Sequence, residues 1–337
     1  MMISEDSLSV SPHRPVMENP FEYVNFVLSL SVTSTLIPTI LMHSPGQMGN
    51  YRYLLLVFAL SDFHYSLVHL VVKPIIGPIG DAFIMYDDGV LASKLSICYF
   101  GSSHSLTIVL LAYHFVYRYI VLEGPSRFPF LHSPSFVVVL ALVTLLELIV
   151  WFIACYCFYG TSKELQEYVA DFVDADRLEI VFKDGSLNVR GTMALALFTI
   201  VIFVCTGVIM FCSSKVLGKL FGVQSSHSLK TIALQKQIFL TLTVQLSIPI
   251  ALIYLPCILT VGCPFLHIPL VYSPLLMSFL FTIFPALDGL VIIIGIREYR
   301  NGILNFIKTR SCKKTAPKKS KHVTVTVGVS SIYPAAA

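Results

Sequence analysis

The sequence predicts an all-α membrane protein, a seven-transmembrane helix bundle with its N-terminus outside and its C-terminus cytoplasmic. Three observations carry this reading. Seven apolar stretches each approach or exceed the roughly 20 residues that a spanning helix needs. Composition agrees: 55% of the 337 residues are hydrophobic, only 12% are charged, and the mean hydropathy is +0.79, values foreign to a soluble domain. Lys and Arg also divide unevenly between the two sides that seven crossings create. With the N-terminus outside, external segments hold Arg14, Lys73, Lys94, Lys163, Arg177, Lys183 and Arg190, and the other 16 of 23 are internal. Basic residues favour the cytoplasmic face. Fourteen of the 19 acidic residues fall outside.

The elements follow in order. Residues 1–23 form an external N-terminal segment. They carry Glu5, Asp6, Arg14 and Glu18 without an early apolar core, so no cleavable signal peptide of the usual form is read, and the first helix inserts itself. Helices one to five cover Val24–Met42, Tyr53–Val72, Leu95–Tyr119, Ser135–Tyr159 and Thr192–Ser213. Helices six and seven, Ile238–Val261 and Ile268–Ile296, lie in one run from Gln237 in which Asp288 is the only charged residue. That run is far too long for one crossing at about 1.5 Å per residue, and Gly262-Cys263-Pro264 is the turn. Between helices four and five, Thr161-Ser162-Lys163-Glu164 resembles a capping box. Leu165, Tyr168, Val169, Phe172 and Val173 follow at helical spacing. Leu178–Val189 then alternates around Lys183-Asp184-Gly185, a hairpin signal. A short amphipathic helix and a hairpin lidding the bundle are expected there.

Residues 301–337 form a cytoplasmic tail. Ile303, Leu304, Phe306 and Ile307 interleave with Asn305, Lys308 and Arg310, the pattern of a basic amphipathic surface helix. Cys312 follows and is read either as a palmitoylation site or as a free thiol. The remainder, rich in Lys, Ser, Thr and Pro, reads as disordered, with Ser320, Thr324, Thr326, Ser330 and Ser331 as phosphosites. Lys215, Lys219, Lys230 and Lys236 between helices five and six, with the basic tail, suit anionic membrane lipid. The basic pI reflects this face and not nucleic-acid binding.

Ionisable residues at membrane depth are costly. Glu147, midway along helix four, reads as hydrogen-bonded within the bundle. Asp62 in helix two and Asp288 in helix seven admit two readings. Either each is hydrogen-bonded in place, or together they form a buried pair that holds water or a cation such as Na+. Tyr117-Arg118-Tyr119 ends helix three, and on composition alone it is an aromatic belt with a snorkelling Arg. Pro249, Pro256, Pro274 and Pro285 break backbone bonds in helices six and seven. No HExxH, paired-Cys or G-x-S-x-G motif is present, so no enzyme and no cofactor is expected.

These residues also resemble a family. Seven helices with an Arg closing helix three resemble a G-protein-coupled receptor, and the pattern is closest to the nematode chemosensory serpentine receptors of class r, the Str-type group. Gly49-Asn50-Tyr51-Arg52-Tyr53-Leu54-Leu55 resembles that group's start of helix two. His114-Phe115-Val116-Tyr117-Arg118-Tyr119 resembles its end of helix three. Leu234-Gln235-Lys236-Gln237, Gln245, Pro249 and Tyr254-Leu255-Pro256 resemble its helix six. Pro285-Ala286-Leu287-Asp288 with Glu298-Tyr299-Arg300 resembles its helix seven. Two departures stand out. Gly289 replaces the usual Pro, and Tyr117 stands where rhodopsin-like receptors keep an acid.

The resemblance implies a receptor for a small odorant or pheromone that activates a heterotrimeric G protein at the plasma membrane of sensory cilia. It implies a ligand site in the outer halves of helices three, five, six and seven, at Ser102, Ser103, His104, Tyr254, Cys257, Ser278 and Thr282. It implies G-protein coupling at Arg118, Tyr119, Lys215, Lys219 and Lys236. The rhodopsin-like disulfide is not assignable: Thr161–Arg190 has no Cys, and pairing among Cys98, Cys155, Cys157 and Cys263 is open. The competing reading is a transporter or ion-conducting membrane protein that uses Asp62, Glu147 and Asp288 as a relay. No repeated halves support it.

Overall fold

A computed structural model describes residues 20–79, 82–91, 93–123, 129–158, 160, 163, 167, 178–183, 189–221, 229–262 and 273–315. The helices are α1 (Pro20–His43), α2 (Tyr51–Val72), α3 (Lys94–Glu123), α4 (Ser135–Phe158), α5 (Val189–Phe221), α6 (Leu229–Pro249), α7 (Leu255–Gly262), α8 (Ser273–Gly295) and α9 (Arg297–Thr315). A π-helical turn, Ile250–Tyr254, joins α6 to α7 into one sixth span. Among the described residues seven helices are long and apolar enough to cross a membrane, from Phe21–His43 to Pro274–Gly295. Apolar side chains ring them: α4 and α5 expose Leu142, Leu146, Phe203 and Val204.

α3 is the central helix and the most buried, packing against α2, α4, α5 and the sixth span. α1 closes against α2 and α8. Most of its hydroxyls bond within the helix, as Thr33 Oγ1 donates to Ser29 O at 2.7 Å and Thr39 Oγ1 to Thr35 O at 2.7 Å, while Ser29 Oγ donates across to Thr282 O on α8 at 3.2 Å. Gly289 permits the tight α1–α8 seam, since a Cβ there would stand 2.7 Å from Val32 Cγ1. This accounts for the Gly at the position where the related pattern has Pro. In the sixth span, Pro249 cannot donate a backbone bond. The ladder widens into the π turn directly after it, a feature common at functional sites.

Three strands cover the end of the bundle at which α1 begins. β1 (Pro74–Ile79) pairs antiparallel with β2 (Ala82–Asp87), and β2 with β3 (Leu178–Lys183). β1 packs on α8 and α7, β2 on α3. The buried Asp87 carboxylate then tethers the start of α3: it accepts from Gly89 N at 2.7 Å and Ser93 N at 3.3 Å, and from Ser96 Oγ. Lys73 makes the corner into β1 in a left-handed conformation (φ 43°).

Of the hairpin expected around Lys183-Asp184-Gly185, the first arm, Leu178–Lys183, pairs with β2, and Val189 already belongs to α5; residues 184–188, its turn and return arm, lie outside the described residues. A hairpin that was not expected lies between helices two and three. Its signal is Gly80-Asp81 between two apolar runs. Helices three, five and six all run further than the apolar stretches. Lys215 and Lys219 therefore sit on α5, and Lys230 and Lys236 on α6, not in a connecting loop. Charged side chains mark where hydropathy falls, but no Pro interrupts these turns. Cys98, Cys155 and Cys157 form no disulfide with one another. Cys263, the 161–173 helix apart from Lys163 and Glu167, and the tail beyond Thr315 lie outside the described residues.

Candidate functional site

The end of the bundle under the sheet holds a buried aromatic cage. On α2, Tyr65 and His69 are one turn apart and share a face. On α3, Phe100 and His104 do the same. Phe281 and Phe284 enter from α8, and the π turn presents Tyr254. His104 stacks on Phe100 with ring centroids 6.1 Å apart, and stands 5.2 Å from Phe281, 6.0 Å from Tyr65 and 6.4 Å from Tyr254. Tyr65 is 6.3 Å from Phe284. Tyr65 OH, His69 Nε2, His104 Nδ1 and Tyr254 OH are all buried without a hydrogen-bond partner. An unsatisfied buried polar atom costs about 1–3 kcal/mol. The four polar atoms converge on one aromatic cage.

The proposed ligand residues divide. His104 and Tyr254 meet in the cage, with the half-buried Cys257 one turn beyond Tyr254. Ser102 and Ser103 each donate to Tyr99 O at 2.8 Å, within their own helix. Ser278 and Thr282 face α1 and not α3: Ser278 Oγ bonds Glu22, and Asn25 Nδ2 donates to Thr282 Oγ1 at 2.9 Å. Tyr65, His69 and Phe281 were not among the expected residues. The (i, i+4) pair of Tyr and His on helix two was their signal.

Below the cage, Asp62 on α2 and Asp288 on α8 are buried and face one another. Gln245 Nε2 donates to Asp288 Oδ2 at 2.8 Å. Asp62 Oδ2, Asp288 Oδ1 and Gln245 Oε1 lack partners, so three buried oxygens share one region. Glu147 is not part of it: it accepts from Trp151 Nε1 at 2.8 Å on its own helix.

At the opposite end Arg118 neither snorkels nor lies on the surface. It is 2% exposed. Nη1 donates to Gln235 Oε1 on α6 at 2.7 Å, and the guanidinium lies over the Tyr51 ring, 3.5 Å from its centroid. Tyr51 in turn hydrogen-bonds His114 Nδ1 at 3.0 Å. No carboxylate pairs with Arg118 among the described residues. The reason is positional: α3 continues to Glu123, which lifts Arg118 more than a turn inside the helix end. Tyr299 completes the floor. Its hydroxyl meets Ser44 Oγ at 2.7 Å, and burial pushes its phenol up to about 12. Around this floor Tyr119 packs on Phe211 at 5.8 Å, Lys215 lies over the Phe211 ring, and Lys219 bonds Glu123 at 2.5 Å. Lys236 is exposed.

Residues 18–304 match the family model of the serpentine-type seven-transmembrane chemoreceptors, Str. The chain belongs to the Str family of G-protein-coupled chemoreceptors. Relatives in Caenorhabditis elegans are distant but long. Serpentine receptor class r-10 is 22% identical, covering 77% of this chain and 82% of its own. G-protein coupled receptor str-217 is 24% identical over 83% and 87%. Serpentine receptor class J-38 is 25% identical over 80% and 87%. Among solved structures, squid rhodopsin superposes with a TM-score of 0.61 at 14% identity, covering 87% of this receptor and 85% of that chain. The receptor is a multi-pass membrane protein of rhodopsin-like fold, from a receptor and not an enzyme family.

Proposed function

We propose that this receptor binds a small, mostly neutral external molecule, an odorant or pheromone, in the aromatic cage and activates a heterotrimeric G protein at the Arg118 end. The observation that carries the reading is the sixth span. The same span supplies Tyr254 to the cage, Gln245 to the carboxyl pair and Gln235 to the Arg118 clamp. Its π turn lies between cage and clamp. A ligand that favours another position of this span shifts the population towards a freed Arg118. No chemistry is performed on the ligand.

The excess of basic residues at the Arg118 end supports a cytoplasmic position for it, with the cage towards the outside. The three unpartnered oxygens at Asp62, Asp288 and Gln245 suit a water or Na+ ion whose loss accompanies activation. α9 carries exposed Leu304, Phe306 and Ile307, which suits the inner leaflet, with Cys312 close by for palmitoylation. Sensory cilia follow from the chemosensory reading. A transporter would need a relay of carboxylates, and Glu147 is held apart by Trp151.

The test is expression with a G-protein-linked readout, screened against volatile and water-soluble compounds. His104→Ala or Tyr254→Ala should shift the dose–response by about tenfold or more, roughly 1.4 kcal/mol. Unchanged curves at equal expression for both variants would remove the cage as the site.

A further inference from the structure

The chain between β2 and α3 folds back onto the end of α2. Gly89 N donates to Val72 O at 3.0 Å, and Val90 N to Val71 O at 3.3 Å. A Cβ at Gly89 would run into both of those carbonyls, so the close approach needs glycine. The other side of the turn is held by Asp87, whose carboxylate accepts from Gly89 N, Ser93 N and Ser96 Oγ. On this fixed backbone Val90 is 90% exposed and Leu91 60%. Two neighbouring apolar side chains are thus held away from the protein at a defined place.

We propose that Val90 and Leu91 insert among the lipid acyl chains at the edge of the leaflet on this side and anchor the sheet to the bilayer. Their neighbours fix the level. Val71 belongs to the apolar span Tyr51–Val72, and Leu95 to the span Lys94–Glu123. Both are exposed, as is Leu67 one turn along α2 from Val71, so the bundle turns this side to lipid. Two Lys–Tyr pairs mark the boundary at the same end. Lys73 Nζ donates to Tyr23 OH at 3.0 Å, and Lys94 Nζ lies 5.1 Å from the centre of the Tyr156 ring. Both residue types collect where hydrocarbon gives way to head groups. Val90 is bonded two residues inside Lys73, on the acyl side of that boundary. Its irregular backbone keeps it near the edge, because unpaired amides are not tolerated deeper. Lipid is the occupant that the surface favours, since the apolar strip runs on from Val90 to Val71 and Leu67 on a membrane span. The anchor bears on the sheet because β2, the middle strand, ends at Asp87, directly before the turn. None of this rests on the receptor reading.

The experiment places the full chain in phosphatidylcholine nanodiscs, with Val90→Cys carrying an NBD fluorophore and Cys157, Cys263 and Cys312 replaced by Ser. The same chain without the Val90→Cys change gives the background to subtract. Emission should be lost strongly to lipid bearing a nitroxide near the top of its acyl chain, and weakly to iodide in the buffer. Strong loss to iodide with little loss to the nitroxide lipid would put the turn in water and overturn the proposal. Protection from both would overturn it as well, because protein then covers the position. That protein is a second copy if the protection fades at one chain per disc, and another part of this chain if it persists. The anchoring role is read separately, by amide exchange. Val90→Asp with Leu91→Asp removes the apolar tips and keeps the backbone bonds. Exchange in β1 and β2 should speed up by about tenfold or more, because two apolar side chains lose their burial. Exchange in α3 should keep its wild-type rate, which shows that the variant is folded. If α3 changes too, Val90→Ser with Leu91→Ser repeats the test without added charge. Wild-type exchange in the sheet of a folded variant would overturn the anchor.

Discussion

Arg118 is a charge held in an apolar floor by neutral groups. Leaving a buried charge without an opposite partner costs several kcal/mol, and one hydrogen bond to Gln235 with one aromatic face offsets only part of it. The arrangement is thus weak by construction and easily exchanged for a partner outside. Arg118→Ala should leave surface expression and ligand binding close to wild type and abolish G-protein activation; full signalling from a well-expressed variant would refute the coupling role. Gln235→Leu should release the clamp and raise ligand-free activity several-fold, which a basal nucleotide-exchange assay reads directly. Unchanged basal exchange would count against the clamp. The carboxyl pair makes a different prediction. Because Asp62 and Asp288 are buried facing one another, with Gln245 bonded to Asp288, Asp62→Asn and Asp288→Asn should each alter activation. Their double mutant should depart from additivity by about 0.5–3 kcal/mol. Strict additivity in the cycle would separate the two residues. The family motif around Arg118 was readable in the sequence, but its burial was not. Burial depends on α3 continuing past Tyr119, and hydropathy falls before the helix ends. That Ser278 and Thr282 bond to α1 was hidden for a related reason: helical spacing gives a face, not the neighbour that the face meets.

Among the elements, the spans were legible because each one must satisfy its backbone internally while showing lipid an apolar surface. Their ends were less so, since charged turns remain helical beyond the apolar stretch. The sheet was the chief miss. β2 and β3 come from loops separated by all of α3 and α4, and nothing local announces such a pairing. The Lys183-Asp184-Gly185 signal competed with Gly80-Asp81, and only tertiary context decides between them. The α1–α8 seam gives a prediction at this scale. A side chain at Gly289 meets Val32, so Gly289→Val should force α1 from α8 and lower thermal stability in detergent by about 1–3 kcal/mol, the range for overpacking. Val32→Ala in the same chain should recover part of the loss. An unaffected melting point in the single variant would show that the seam yields freely.

Taken whole, the molecule has two differently finished ends. One carries the sheet over the cage, and the other an arginine floor with Lys215, Lys219 and Lys236 around it. The asymmetry of basic residues predicts the way it sits in a membrane. A single Cys introduced at Ser93, beside the sheet, should react with a membrane-impermeant maleimide on intact cells, in a background where native Cys157, Cys263 and Cys312 are replaced by Ser. One introduced at Ser214 should react only after permeabilisation. The reverse pattern would invert the topology and place the cage on the cytoplasmic side.

The clamp on Arg118 also bears on how quiet such a detector is. Gln235 and Tyr51 hold it without a carboxylate. An ion pair would tighten or slacken with salt and with acidity on the cell's interior face, and the resting signal would drift with both. A clamp made from an amide and an aromatic face gives ionic strength little to screen and offers no acid group to titrate. The spontaneous signal is then set by one fixed gap. At about 2.7 kcal/mol, close to one copy in a hundred would be active by chance. The faintest stimulus that stands above this background would stay the same while the salt content of the cell changes.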